Sequence, residues 1–546
     1  MADDFAERYG ELLTGSYDCV DRVVLNAYYP LGHSPGGFRA WWRRWHGGSD
    51  ADLDDAHLMR LPGRFARRVR AWAKANGVPV IDCTAGQRKH RIAEEYLAGH
   101  SVGPGVFMIL VARARATVWK VKRSAAGVIG NLEKKTEYVS HYSFHIMDPA
   151  WGHLVVKMSG HPPSGAQVIL NGHEYVACAA HAAGIGFAKE GNCFTWITDP
   201  AGLAQIAETL SQSAAVGRLG RACDRWIYTA CLVFGLDLAE QQASGFGYAY
   251  SVYQAEYSRN LIFACGARMD QIFGTVADRT RSRLDVPSLR TLFGVKKRPA
   301  GTAEPSLKLA VVIERPAYDL TLFKVCFGLL TLKGYTKGER VLRFEAIVHT
   351  TKTLKAGRAL DKFPDIIARL AGMAGRFCTM LDCVDTGFIP DGLLDQLPAA
   401  SWLGSTRVGG IDVNKPRSRA VLSAALALAI APGGFTVADF AAKVRDMTGQ
   451  AGYTIRNAAY DLRKLRGKHL ADKPGRTRRY FISPGAARII SALLTLREQV
   501  IAPLLAGVAD PRIRRTPRHW TDIDRHYQAL RLEMMALFAG VGIACG

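Results

Sequence analysis

Residues 418–483, SRAVLSAALALAIAPGGFTVADFAAKVRDMTGQAGYTIRNAAYDLRKLRGKHLADKPGRTRRYFIS, divide into three helical spans and a basic hairpin. Arg419 to Ile430 is apolar on nearly every side, so burial follows. Pro432-Gly433-Gly434 breaks the chain after it. Thr436 with Asp439 has the spacing of a capping box, and Val437, Phe440, Ala441 and Val444 repeat behind it at helical intervals. A third span begins near Thr454, with Ile455, Ala458, Ala459, Leu462 and Leu465 inward. Arg456, Asn457, Tyr460 and Lys464 fall on its opposite side. Leu470-Ala471-Asp472 and Arg478-Arg479-Tyr480-Phe481 then flank the tip Lys473-Pro474-Gly475-Arg476. Three helices and a basic two-stranded wing make a winged helix-turn-helix, whose third helix can reach phosphates and base edges in a major groove.

From Arg456 to Phe481 there are nine Lys/Arg against two Asp, Asp461 and Asp472, a local charge of +7. A winged helix that binds only protein could carry such a solvated face, but phosphate neutralisation is what this excess does best. Lys473, Arg476, Arg478 and Arg479 would then meet the backbone beside the groove. The stretch resembles the winged-helix domains of MarR-type regulators over about residues 415–506, and the resemblance implies that fold and duplex contact. Pro484 to Ala506 reads as a long apolar helix that either packs on this domain or pairs two copies as a homodimer.

The charge of the whole chain points the same way. Its 546 residues carry a formal net charge of +23 and a pI near 9.7, with 48% hydrophobic residues. Nucleic acid, DNA or structured RNA, is the default partner for such a chain, ahead of an anionic membrane. No apolar run reaches bilayer-spanning length, and Met1 to Glu11 is too acidic and polar for a secretory signal. The 11 cysteines are scattered without a C-x-x-C pair, which suits a reduced cytoplasmic setting.

The organisation expected is α+β and multidomain. A basic helical N-terminal region spans 1–100, an α+β domain 101–213 and a helical region 214–304. An antiparallel meander with helices follows at 305–400, then the winged helix at 401–506 and a helical tail at 507–546. In the first region Phe38 to Trp45 interleaves tryptophans with arginines. Arg60, Arg64, Arg67 and Lys74 then lie near one face of a helix. That pattern fits either a nucleic-acid surface with aromatic stacking or an amphipathic helix whose tryptophans are core.

Six of the 15 histidines fall between His141 and His181. On one strand His141 and His145 would stand about 13 Å apart, too far to share an ion. His145, Asp148 and His153 could converge around the turn at Pro149-Ala150-Trp151-Gly152 as ligands for a metal. Asn171-Gly172-His173-Glu174 reads as an Asn-capped helix start. Tyr250, Tyr253 and Tyr257 recur at three- and four-residue spacing in a region read as helical. Lys296 to Ser306 reads as a linker.

Leu307 to His349 reads as four consecutive strands. In the last two, Leu330 and Leu332 share the apolar parity with Leu342, Phe344, Ala346 and Val348. Directly paired residues share a face, so the hairpin loop must hold an odd number of residues, with Gly338 at a positive-φ position. Lys333, Tyr335, Lys337, Arg343 and Glu345 then share one outer face. Cations around a phenol, with a carboxylate near, suit phosphate binding or attack on phosphate, and a solvated ion-pair face would have the same pattern. Lys-x-Tyr-x-Lys followed by Arg-x-Glu resembles a motif of plasmid and phage rolling-circle replication initiators over about fifteen residues. Thr336 stands where that family has an acidic residue. The resemblance implies a DNA-nicking domain with Tyr335 as nucleophile, and a divalent metal would be its cofactor. As a whole the chain resembles uncharacterised proteins of bacterial mobile elements. The functions expected are a nucleic-acid-binding protein of such an element, a replication or recombination enzyme nicking through Tyr335, or a transcription regulator.

Overall fold

The computed structural model describes residues 7–123, 129–162, 164–273, 312–314, 322–327, 329–385, 387–502 and 521–540. The chain forms two compact units, one of Gly10–Asp270 with Lys308–Ala374, the other of Met1–Tyr9, Gln271–Leu307 and Gly375–Gly546. The class is mixed α and β, around a large and mostly antiparallel sheet. No described helix is long and apolar enough to cross a membrane.

The first unit is built on that sheet. Its strands in chain order are β1 (Leu13–Tyr28), β2 (Val80–Asp82), β3 (Gly105–Arg123), β4 (Ile129–Asp148), β5 (Gly152–Ser159) and β6 (Ala166–Asn171). A separate hairpin, β7 (Phe187–Lys189) and β8 (Phe194–Ile197), precedes β9 (Ala249–Phe263), β10 (Val312–Glu314), β11 (Leu322–Phe327), β12 (Leu330–Lys337) and β13 (Val341–Val348). The eleven strands lie in the order β10-β11-β12-β13-β9-β1-β6-β5-β4-β3-β2, and β2 alone pairs in parallel. The N-terminal segment expected to be helical thus supplies the central strand β1. The tyrosines at 250, 253 and 257 lie on β9, again a strand where a helix was expected.

Apolar alternation sets which side of the sheet is covered by helices. Tyr142 and Phe144, alternate residues of β4, meet Phe65 at ring separations of 5.0 and 6.4 Å. Phe65 belongs to α2 (Asp55–Ala75), which follows α1 (Pro35–Trp45). The buried stripe of α2 is Leu58, Phe65, Val69 and Ala73, and Asp54 caps its start by accepting from the His57 amide. Each such large apolar side chain contributes roughly 1.5–3 kcal/mol on full burial. At Gly160 a Cβ would stand 2.6 Å from that of Phe65, so only glycine admits this close helix-strand approach. In α1, Phe38, Trp41 and Trp42 are buried, which makes these tryptophans core residues and not stacking platforms.

The second unit contains α9 (Pro416–Ala429), α10 (Val437–Thr448), α11 (Ile455–Gly467) and α12 (Pro484–Thr495), counting α3 (Lys89–Gly99) to α8 (Phe363–Asp385) before them. Every residue of α9 from Val421 to Ala429 except Ser423 is buried. Both halves of the capping box at Thr436 and Asp439 are present, and Gly449 closes α10 at φ +67°. The Thr454 hydroxyl accepts from the Asn457 amide at the start of α11. Phe435 exchanges two backbone hydrogen bonds with Tyr480, at 3.0 and 2.7 Å, and Asp472 exchanges two with Phe481, at 2.8 and 2.9 Å. The apolar side of α12, including Ile490, Leu493 and Leu494, is buried within the unit. The linker read at 296–306 lies outside the described residues.

Candidate functional site

The hairpin from β12 to β13 has the odd loop that the parity required. Lys337 pairs with Val341 across Gly338, Glu339 and Arg340, and Gly338 has φ +59°. Register then lays two polar rows across four strands. Tyr17 of β1 pairs with Asn260 of β9, Asn260 with Arg343 and Arg343 with Tyr335. One step along, Cys19 pairs with Ser258, Ser258 with Glu345 and Glu345 with Lys333. Directly paired residues share a face, so both rows lie on one side.

That side is not the outer face read from the sequence. All eight residues of β13 are buried, with Arg343 0% and Glu345 5% exposed. The cover comes from the loop between β7 and β8 and from the start of α4 (Gly172–Ala182). Arg343 makes four hydrogen bonds: Nη2 to Asp21 Oδ2 at 2.5 Å, Nε to Glu345 Oε1 at 2.8 Å, and Nη1 to the Asn192 carbonyl and Asn260 Oδ1 at 2.6 and 3.0 Å. Lys337 donates to Asn192 Oδ1. Tyr17 Oη accepts from the Phe194 amide at 2.8 Å.

Asp21 owes its position to a bulge. Between the pairs Val20 with Tyr257 and Val23 with Ala255, β1 has one residue more than β9, so Asp21 and Arg22 together oppose Glu256. Asp21 is fully buried, and His173 Nδ1 lies 2.6 Å from its Oδ1 at an angle outside hydrogen-bond geometry. Asn171 caps α4 as expected, and its side chain orients the turn by accepting from the His173 amide at 2.8 Å. A Cβ at Gly172 would stand 1.9 Å from the Val20 carbonyl oxygen, which is how α4 comes close enough to place His173 on Asp21.

Burial drives the Asp21 carboxyl upward, but Arg343 and then His173 outweigh it and hold the group below the usual carboxylate range. For His173, burial dominates over the attraction of Asp21 and lowers its pKa, so the imidazole is neutral at neutral pH. Burial also lowers the Lys337 ammonium, with Arg343 adding to the effect. The Tyr335 phenol is raised above its ordinary value by burial, with Glu345 acting in the same sense and Arg343 against it. It is therefore protonated at rest and donates to Glu345 Oε1 at 2.5 Å, while Lys333 Nζ sits 3.4 Å from Glu345 Oε2. The arrangement can pass the phenolic proton to Glu345 and surround the resulting oxyanion with Lys333, Lys337 and Arg343.

Other residues singled out from the sequence lie elsewhere. His145 Nδ1 meets His153 Nε2 at 3.0 Å. Asp148 does not join them. Its Oδ1 accepts from the Ala150 and Trp151 amides at 2.8 Å, and its Oδ2 accepts from Trp226 Nε1 at 2.7 Å and Arg225 at 3.2 Å. Among the described residues no group of three or more His, Cys, Asp or Glu is arranged to hold a metal. Arg64 turns inward to Glu240 Oε1 at 2.8 Å and to the Gly235 carbonyl, and Arg67 is exposed.

On α11, Arg456 and Tyr460 are exposed while Asn457 and Lys464 are half-buried, and Ile455, expected inward, is 56% exposed. Lys473 Nζ lies 5.7 Å over the Tyr480 ring. Arg476 and Arg478 are exposed, and Arg479 donates to the Gly433 and Gly434 carbonyls at 3.2 and 3.0 Å. Beside α11 sits a hairpin, β14 (Ser401–Leu403) and β15 (Thr406–Val408). It pairs Trp402, 66% exposed, with Arg407. Comparison of the chain with protein-family models, with curated proteins and with solved structures found no match.

Proposed function

We propose that this chain is a nucleic-acid-binding protein whose second unit docks on DNA or structured RNA through a winged helix. The three helices α9 to α11, with minimal backbone pairing at Phe435–Tyr480 and Asp472–Phe481, support that reading of the fold. The observation that carries the function is the side of α11 turned to solvent. Arg456 and Tyr460 stand there, the hairpin carrying Trp402 and Arg407 packs beside the helix, and Arg476 and Arg478 are likewise exposed. Cations with an exposed aromatic suit phosphates and base faces. Arg479 serves the hairpin itself, by holding Gly433 and Gly434.

In a mobility-shift titration, replacing Arg456, Arg476 and Arg478 by Ala should weaken binding on every sequence tried. Each lost phosphate contact should also flatten the slope of log K against log salt by about 0.9 on a B-form duplex. Unchanged affinity and slope would sink the assignment.

A second reading, phosphodiester cleavage, is favoured by one contact, the 2.5 Å hydrogen bond from Tyr335 to Glu345. Glu345 takes the phenolic proton as Oη attacks phosphorus. The P–O bond to the leaving strand breaks, that alkoxide takes up a proton, and a tyrosyl phosphodiester remains. Denaturing gels should then reveal a covalent adduct with single-stranded DNA that disappears in Tyr335→Phe. An adduct that survives the substitution refutes the role of Tyr335.

A further inference from the structure

Away from Arg343, the sheet of the first unit floors a cleft of about 870 Å³. Its floor is one cross-strand row: Asn26 of β1 pairs with Gln167 of β6, Gln167 with Lys157 of β5, and Lys157 with Ser143 of β4. Cations converge on this row. Lys89, at the first turn of α3, reaches to 3.5 Å of Ser143 Oγ, with His141 two residues along β4 and Arg115 and Arg358 also lining the cleft. No carboxylate is among its described lining residues.

Such a cluster is costly to assemble empty-handed. Burial lowers the pKa of Lys89 and of Lys157, and for Lys157 the charges of Arg22 and Lys89 add to the effect. His141 is lowered by burial and then by the same two lysines. Among the described residues two buried nitrogens, His141 Nε2 and Arg358 Nε, find no hydrogen-bond partner. Desolvated, mutually repelling cations with unmet donors are stabilised by an anion. The size is that of a site for a ligand of several groups and far exceeds one water. Tyr28, 36% exposed and edge-on to His33 at 5.5 Å, offers a planar face at the rim.

We infer that this cleft binds phosphate groups of a nucleotide-bearing ligand, with Lys89, Lys157 and Arg358 on the phosphates and Tyr28 beside a base. The phosphates can belong to a free nucleotide or to the backbone of a single strand. This site is separate from duplex docking by α11, and none of its residues lies on that helix.

The test is amine acetylation of the full-length protein followed by mass spectrometry, with Lys352, which is exposed and does not line the cleft, as internal control. Tripolyphosphate, ATP and pentathymidylate serve as probes. Protection of Lys89 and Lys157 by fivefold or more, with Lys352 unchanged, is the expected result. Protection by ATP and tripolyphosphate identifies a free phosphate ligand, whereas protection by pentathymidylate alone identifies a strand. In calorimetry the double change Lys89→Gln with Lys157→Gln should weaken the protecting probe at least tenfold without lowering Tm, because it removes a repulsion. Unchanged labelling of both lysines with all three probes, or undiminished affinity in the double variant, would overturn the inference. A protein that keeps its lysine protection but loses no duplex affinity on removal of Arg456, Arg476 and Arg478 would refute the winged-helix reading alone.

Discussion

Replacing Arg343 by Met is the most demanding test of the buried rows. The guanidinium is 0% exposed and holds two carboxylates, Asp21 at 2.5 Å and Glu345 at 2.8 Å. Removing one partner of such a buried pair leaves charge without compensation and costs about 3–5 kcal/mol. Solvent screening does not reduce that figure at a site closed to water. With a urea m-value of about 3 kcal/mol/M, a loss of 4 kcal/mol would lower the unfolding midpoint by roughly 1.3 M. Adding Asp21→Asn should return part of the loss, since the second change removes the charge that the first stranded. The double-mutant cycle should give a coupling of about 1–3 kcal/mol.

The pH profile adds a sign. With Arg343 present, the Asp21 pKa lies below its unfolded value of 3.8, so its contribution is present above pH 3.8 and is lost as the pH falls through the folded value. In Arg343→Met the two lowering contributions of the guanidinium are gone, so Asp21 should titrate at higher pH and the acid-side loss should begin at higher pH than in the wild type. Urea midpoints from pH 3 to 8, with hydrogen exchange of the β9 and β13 amides as a local reading, check both points. A single-variant loss below 1 kcal/mol, or strict additivity in the cycle, would refute the reasoning.

Two other groups, buried His145 and half-buried Glu256, should titrate stability in opposite directions. Burial, then His153, lowers His145 from 6.5 to about 3, so its contribution is complete above pH 6.5 and falls with acidification by up to about 1.4 kcal/mol per pH unit. Burial, then Asp21 and Glu345, raises Glu256 from 4.5 to about 7, so its contribution is complete below pH 4.5 and disappears as the pH climbs to 7. Glu256→Gln should therefore gain on the wild type between those limits, and urea midpoints parallel to wild type would count against the burial account. Gly172→Ala should cost about 1–3 kcal/mol, because its Cβ would press on the Val20 carbonyl oxygen at 1.9 Å. A thermal midpoint equal to wild type would mean that α4 does not approach β1 so closely.

Features encoded by neighbouring residues were legible in the sequence. The Thr436–Asp439 cap needs only four residues, and the parity that fixed the loop at 338–340 needs only two strands. What escaped was set by distant residues. Tyr250, Tyr253 and Tyr257 suggested a helix because β9 does not alternate cleanly. Between the pairs Val24 with Gln254 and Leu25 with Val252, Tyr253 is an extra residue that resets the parity of the strand. Asp21 carries no local signal, since its partner Arg343 lies 322 positions away and no neighbouring pattern announces the bond. The rows around Tyr335 were correctly gathered on one face, yet that face was read as open. Nothing within the hairpin shows that Asn192 and His173 will close over it.

The same separation bears on how the chain is made. Synthesis proceeds at roughly 5–20 residues per second. Asn260 emerges 243 residues after Tyr17, and Arg343 emerges 322 residues after Asp21, delays of about 12–50 s and 16–60 s at that speed. For the first part of this interval, until residue 171 has emerged, β1 is an apolar strand with neither neighbour β6 nor β9 complete, which is the condition that favours pairing with a wrong strand. Asp21 at its centre has no counterion yet and resists burial in any improvised sheet. The carboxylate that later anchors Arg343 thus first acts as a gatekeeper, keeping the central strand available until its proper neighbours arrive.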